Sequence, residues 1–133
     1  MTENLRVLVV DDDPDLVLTL SALLRSEGHD VWGLHRAADV DIGVRNFDPD
    51  VIVLDIGLPD GSGYALANEI RAHSRGKRPL LIALTGLYRE RVGMPVSKAA
   101  GIDHFITKPY DVGYLLGLIS SRAPVSRPSA TPS

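Results

Sequence analysis

Val7-Leu8-Val9-Val10-Asp11-Asp12-Asp13 runs four aliphatic side chains straight into three carboxylates. An apolar run without alternation is the pattern of a strand covered on both faces, as strands of parallel sheets are. The form returns at Val51 to Leu54, ending in Asp55, and at Leu80 to Leu84, ending in Thr85. A shorter run, Phe105-Ile106, precedes Thr107 and Lys108, and a weaker candidate spans Val31 to His35 with the single tryptophan, Trp32. Helix-length segments separate these runs. Leu16, Leu20, Leu23 and Leu24 recur at helical spacing between Pro14, suited to a first turn, and Gly28, suited to a stop. Ala37 to Phe47, closed by Asp48-Pro49, and Tyr64 to His73 are further candidates, the latter followed by a basic loop, Ser74 to Arg78. Asp111 is placed to cap a last helix reaching Ser121. After Thr85 the pattern is irregular: Gly93-Met94-Pro95 interrupts it and leaves a short helix over residues 95–100. Strand and helix alternating five times predict a parallel sheet with helices on both faces.

The 133 residues suffice for one domain and are too few for two. At 44% apolar but only 5% aromatic, the core must be aliphatic. A net charge of −3 offers no basic surplus for nucleic acid or an anionic membrane. No apolar run approaches the roughly 18 residues of a spanning helix, so membrane insertion is not expected. Met1 to Asn4 lead directly into a strand-like run, so no signal peptide is expected either. The lack of cysteine excludes disulfides, thiolate chemistry and Cys-built zinc sites, and fits a cytoplasmic protein. From Arg122 to Ser133 the chain is rich in Pro, Ser, Ala and Thr with no apolar period. It reads as a disordered tail or linker after a folded unit of residues 1–121.

In an open parallel sheet, ligands bind beyond the carboxyl ends of the strands where strand order reverses. The residues that end the apolar runs are therefore the candidates: Asp11 and Asp12, Asp55, Thr85 and Lys108. Two unit negative charges about 4 Å apart repel by roughly 4 kcal/mol at an effective dielectric near 20. Three carboxylates against one lysine therefore call for a cation, and an all-oxygen donor set favours Mg²⁺ or Ca²⁺ over zinc. A metal beside an ammonium and a hydroxyl is also what a transferring phosphoryl group needs. A carboxylate can then serve as nucleophile and form an acyl phosphate. Asp13 is expected to be exposed or to cap the first helix. His29, His35, His73 and His104 share no metal-ligand spacing and read as surface or boundary residues. Trp32 reads as packing on the second strand.

Val9-Val10-Asp11-Asp12, Leu54-Asp55-Ile56-Gly57-Leu58-Pro59 with Gly63, Leu84-Thr85-Gly86 and Thr107-Lys108-Pro109, in that order, resemble the receiver domain of bacterial two-component response regulators. The resemblance covers about residues 5–121, and the Leu-Asp-Ile-Gly-Leu-Pro and Ala-Leu-Thr-Gly details are most similar to receivers of hybrid histidine kinases. It implies a flavodoxin-like three-layer α/β sandwich whose five-stranded parallel sheet has the order 2-1-3-4-5. Asp55 would be the phosphoacceptor, taking its group from a phosphohistidine on a histidine kinase or histidine phosphotransfer protein. Asp12 would bind Mg²⁺ directly and Asp11 mainly through water, with the Gly57 carbonyl as a further ligand. Thr85 and the Gly86 amide would hold phosphoryl oxygens, Lys108 would pair with the phosphoryl group, and Pro109 would fix its turn through a cis bond. Phe105 would be the aromatic switch that turns inward as Thr85 moves. Output would pass through the fourth helix, fifth strand and fifth helix to an unknown protein target, without direct nucleic-acid contact. The stretch between Thr85 and Lys108 is about one residue longer than in common members, with Gly93 and Pro95 breaking its helix. Gly57 brings no side chain to shield the site, so the expected acyl phosphate is short-lived.

Two other classes compete. Asp11-Asp12-Asp13 is similar to the Asp-x-Asp of haloacid-dehalogenase-type phosphatases, but Pro14 stands where those enzymes usually carry Thr or Val, and they need a cap or a longer chain to hold a substrate. A degenerate receiver acting purely as an interaction module would have lost an acid or the lysine, and all are here. The expectation is a signalling phosphoacceptor rather than an enzyme with turnover.

Overall fold

In the computed structural model, the described residues are 4–57, 63–72, 78–86 and 101–122. The expected break at Gly93–Pro95, the short helix over 95–100, the Leu58-Pro59 turn, His73 and nearly all of the Pro/Ser-rich tail lie outside them. Five strands form one parallel sheet: β1 (Arg6–Val10), β2 (Asp30–Leu34), β3 (Val51–Asp55), β4 (Leu80–Thr85) and β5 (His104–Thr107). Their order is β2-β1-β3-β4-β5, as the resemblance implied. The described helices are α1 (Pro14–Ser26), α2 (Val40–Phe47), α3 (Gly63–Ala72) and α4 (Val112–Ser120).

The unbroken apolar runs are explained by the layers. Val7 and Val9, with Val51, Val53, Ile82 and Leu84, pack against α1 and α4 through Val17, Leu20, Leu24, Leu115 and Ile119. Their neighbours in sequence, Leu8, Val10, Ile52, Leu54, Leu81 and Ala83, point the other way onto Val40, Phe47, Leu66, Ala67 and Ile70 of α2 and α3. Side chains alternate across a strand, so covering both faces leaves no room for polar positions. Edge strand β2 is more open: Val31 is buried on the α1 side, Leu34 only half-buried on the α2 side, and the exposed Trp32 stacks on Phe47 with ring centroids 4.7 Å apart.

Helix ends follow their local chemistry. Asp13 caps α1, its Oδ1 accepting from the amides of Asp15 and Leu16, with Pro14 at the first helical position. Gly28 follows the helix at φ +93°, a left-handed backbone that a Cβ would strain. Asp111 caps α4 through the amides of Gly113 and Tyr114. The Ala37 to Phe47 reading is corrected in one respect. Its first turn, Ala37–Asp39, is a 3-10 turn with no side-chain cap, and the α-helix begins at Val40.

A second correction concerns His29, which is buried rather than a surface or boundary residue. The Leu5 amide donates to its Nδ1 at 3.2 Å, tying the lead-in of β1 to the lead-in of β2. His35 is exposed and His104 half-buried.

The edge of the sheet remote from Asp55 is held by Asp103. Its Oδ2 accepts from the Leu81 amide at 2.8 Å and from Arg71 at 2.9 Å, and its Oδ1 from Arg78 at 2.9 Å. Burial would raise this carboxyl, but the Leu81 amide, the Arg78 bond and the charges of Arg71 and Arg78 outweigh it and hold it below its ordinary value. A depressed folded-state value stabilises the fold above the unfolded value and is lost as pH falls through the folded one. Asp103→Asn is expected to cost about 2 kcal/mol in urea unfolding at pH 7, the size of hydrogen bonds to a charged group. The gap to wild type should close as pH falls below about 4.

Candidate functional site

Register builds the rim. Val10 of β1 is level with Leu54 of β3, so the residues that follow, Asp11 and Asp55, stand on adjacent strands about 4.8 Å apart in the pairing direction. This is the point where the chain winds first to β2 and then to β3 on the opposite side of β1. Asp12 is exposed at the turn into α1, whereas Asp11 is wholly buried and Asp55 only 6% exposed. One carboxylate oxygen from each of the three lies within 4.8 Å of the others.

Backbone amides orient the two buried acids. The Asp13 amide donates to Asp11 Oδ1 at 3.0 Å and the Gly57 amide to Asp55 Oδ1 at 2.9 Å. Each Oδ2 then faces Lys108, whose Nζ lies 2.9 Å from Asp11 and 3.3 Å from Asp55. Lys108 reaches them because Thr85 and Thr107 are paired in the sheet and the Lys108 amide donates to the Thr85 carbonyl at 2.7 Å. The Lys108-Pro109 bond is cis, as the resemblance implied. Thr85 is buried at the end of β4, with Gly86 half-buried after it. Phe105 lies two residues short of the rim on β5, half-buried and packed against the core on the α2 and α3 side.

The charges do not cancel locally. Burial pushes the Asp55 carboxyl above its ordinary value; the Asp11 charge adds to this, and the Gly57 amide and Lys108 only partly oppose it. Burial alone would lower the Lys108 ammonium, but its bond to Asp11 and the charges of Asp55 and Asp11 outweigh that and raise it. Among the described residues, three carboxylates against one ammonium leave a formal surplus of about two negative charges, with Asp11 and Asp55 buried and Asp12 open to solvent. All-oxygen donors in that setting fit a hard divalent cation such as Mg²⁺ or Ca²⁺.

The structure thus brings Asp11, Asp12, Asp55 and Lys108 together and sets Thr85 and Gly86 on the same edge. Two neighbours went unread in the sequence. His35 Nδ1 lies 3.2 Å from the Asp11 carbonyl, which can only accept, so the ring donates and links the ends of β1 and β2. Its position just after β2 was the available signal. Tyr110, directly after Lys108-Pro109, is half-buried near the acids, and burial followed by the Asp11 charge pushes its phenol upward.

A family model described as response regulator receiver domain matches residues 7–120. Among curated relatives, the chain is 36% identical over 109 residues to the probable transcriptional regulatory protein TcrX of Mycobacterium tuberculosis, covering 80% of this chain and 44% of that protein. It is 31% identical over 121 residues to the DNA-binding response regulator MtrA of Mycolicibacterium smegmatis, covering 91% and 51%. The chain spans about half the length of the curated relatives it matches. A CheY-like response regulator receiver domain protein from Methanospirillum hungatei JF-1 superposes with a TM-score of 0.80 at 28% identity, covering 90% of this chain and 93% of that one. The chemotaxis response regulator CheY4 of Vibrio cholerae shares the fold with a TM-score of 0.80 at 22% identity, covering 91% and 100%.

Mg²⁺ at about ten times its dissociation constant is expected to raise stability by about 1.4 kcal/mol, a melting shift of roughly 5 °C. Asp11→Ala or Asp12→Ala should remove most of that shift in the same scan.

Proposed function

The chain belongs to the response regulator receiver domain family, phosphoacceptors of two-component signalling, and from that premise we propose that Asp55 is the residue that takes the phosphoryl group. The observation that carries this reading is the single ammonium of Lys108 shared between Asp11 Oδ2 and Asp55 Oδ2. An Asp55 oxygen attacks the phosphorus of a phosphohistidine, the P–N bond breaks, and an acyl phosphate forms as the imidazole leaves with its electron pair. Lys108 then exchanges its contact with the Asp55 carboxylate for the new phosphoryl oxygens, while the Thr85 hydroxyl and Gly86 amide meet the others. Mg²⁺, held by Asp11, Asp12, Asp55 and the Gly57 carbonyl, would neutralise charge on the transferring group when bound. Asp11, wholly buried between Lys108 and the Asp13 amide, gains no support as a nucleophile of the phosphatase type.

In this reading, Thr85 and Phe105 are the switch pair that shifts the population between two surfaces once Asp55 is modified. The phosphodonor is a histidine kinase or histidine phosphotransfer protein, and output goes to a protein target from within the cytoplasm. MtrA is named a DNA-binding response regulator, but it is about twice as long as this chain. Residues 1–121 act here as the receiver unit through protein contacts, with 122–133 as tail or linker and no turnover of an external substrate.

Mg²⁺-dependent labelling with a small phosphodonor should give one acid-stable, base-labile phosphate per chain in wild type and background in Asp55→Asn. Labelling that persists in Asp55→Asn would reject the assignment. Gly57 is exposed beside the acceptor, so Gly57→Asn should slow loss of the label severalfold, and an unchanged rate would remove the shielding argument.

A further inference from the structure

The edge of the sheet remote from Asp55 gathers three arginines around one acid. Arg71 uses its donors inside the fold: Nε and Nη2 bond the Gly101 carbonyl, Nη1 the Pro79 carbonyl, and Nη2 also Asp103. Asp103 is filled by Arg71, Arg78 and the Leu81 amide. Arg122, just past α4, donates Nη2 to the Arg78 carbonyl, and its Nε is shielded from water without a hydrogen-bond partner. Arg78 gives one N–H to Asp103, yet its side chain is 61% exposed. Among the described residues, three guanidiniums against the Asp103 carboxylate leave a formal charge of about +2, in a chain that carries −3 as a whole. The like charges are felt: beyond burial, Arg78 and Arg122 both push the Arg71 guanidinium downward.

We propose that Arg78 and Arg122, backed by Arg71 and Asp103, form a binding site for a phosphate group, separate from the Asp55 rim. The fork that Arg78 has left, with the Arg122 charge beside it, matches the oxygens of a tetrahedral oxyanion, and phosphate brings close to the two negative charges that the cluster lacks. Asp103 is the fixed strut. It pins Arg71 and the near side of Arg78 to the sheet, so the remaining N–H groups of Arg78 are held rather than free to wander, and the Arg78 carbonyl holds the Arg122 guanidinium beside them through Nη2. From Leu81, which anchors Asp103, to Thr85 at the acidic rim is four strand residues, about 13 Å, so the two sites need not exclude one another. The group could be inorganic phosphate or the phosphate of a nucleotide.

Arginine Nε–H signals followed by ¹⁵N NMR test this. The full chain is kept in EDTA so that the acidic rim holds no divalent ion. Inorganic phosphate and adenosine monophosphate are titrated separately at constant ionic strength, with sodium chloride as the reference anion. Saturable shifts are expected at Arg78 and Arg122, weakened about tenfold by Arg78→Gln or Arg122→Gln, the loss of one charge-assisted contact. Arg78→Lys, which keeps the charge and loses the fork, should fall between. Shifts should persist in Asp55→Asn, and amide spectra confirm that each variant folds. Tighter binding of the nucleotide would assign the site to nucleotides, and equal binding to the bare phosphate group. Drift that does not saturate and is matched by chloride would overturn the proposal. So would saturable binding that survives both glutamine substitutions or vanishes in Asp55→Asn.

Discussion

Asp11 and Asp55, held side by side by the pairing of β1 with β3, share the one ammonium that Lys108 brings across from the end of β5. The sheet enforces this meeting. Because Val10 is level with Leu54, neither acid can withdraw from the other without breaking the ladder. Burial makes their repulsion expensive, and one lysine cannot answer three carboxylates, so the pocket remains hungry for positive charge. On the proposed reading, a phosphoryl group arriving there adds more negative oxygens to a place already short of positive charge. The site's chemistry thus follows from an imbalance built into the backbone register.

What keeps the imbalance from relaxing is the rest of the fold. Strands packed on both faces leave the rim little freedom to splay, and each charged group is also fastened by its own neighbourhood. The Asp13 and Gly57 amides fix the two carboxylates, while the Lys108 amide on the Thr85 carbonyl sets where the ammonium can reach. The helix cap at Asp13 serves both ends of this arrangement, because the residue that starts α1 also lends its amide to Asp11. At the other edge, Asp103 performs a similar fastening with the signs reversed: one acid organises two arginines.

The sequence was most informative where a side chain's surroundings are dictated by period alone. The runs at Val7, Val51 and Leu80 have the pattern of strands buried on both faces, and the polar residue ending each run then falls on a shared rim. Asp111 reads as a cap because a short acidic side chain before an apolar period can accept from the first free amides of a helix, whereas for Asp13 the sequence leaves exposure and capping both open. Contacts between distant segments were less legible. Nothing in the residues around His29 says that the Leu5 amide points at its ring, and the Arg71–Asp103 pair joins residues far apart in the chain. The 3-10 turn before α2 was hidden because Ala37 and Ala38 favour a helix as readily as a tighter turn, and no capping side chain marks where one gives way to the other. His35 reads in the sequence as a surface or boundary residue, because a hydrogen bond from its ring to a backbone carbonyl leaves no mark in residue spacing.

The ionisation of Asp55 is the most direct measure of the charge imbalance on which this account rests. Carboxyl ¹³C chemical shifts followed against pH in EDTA, for wild type and Lys108→Met, read it without any phosphodonor. The account predicts an Asp55 midpoint above the ordinary aspartate value of 3.8, moved higher still once the ammonium is removed. An Asp55 that titrates as an ordinary exposed aspartate, indifferent to Lys108→Met, would contradict it.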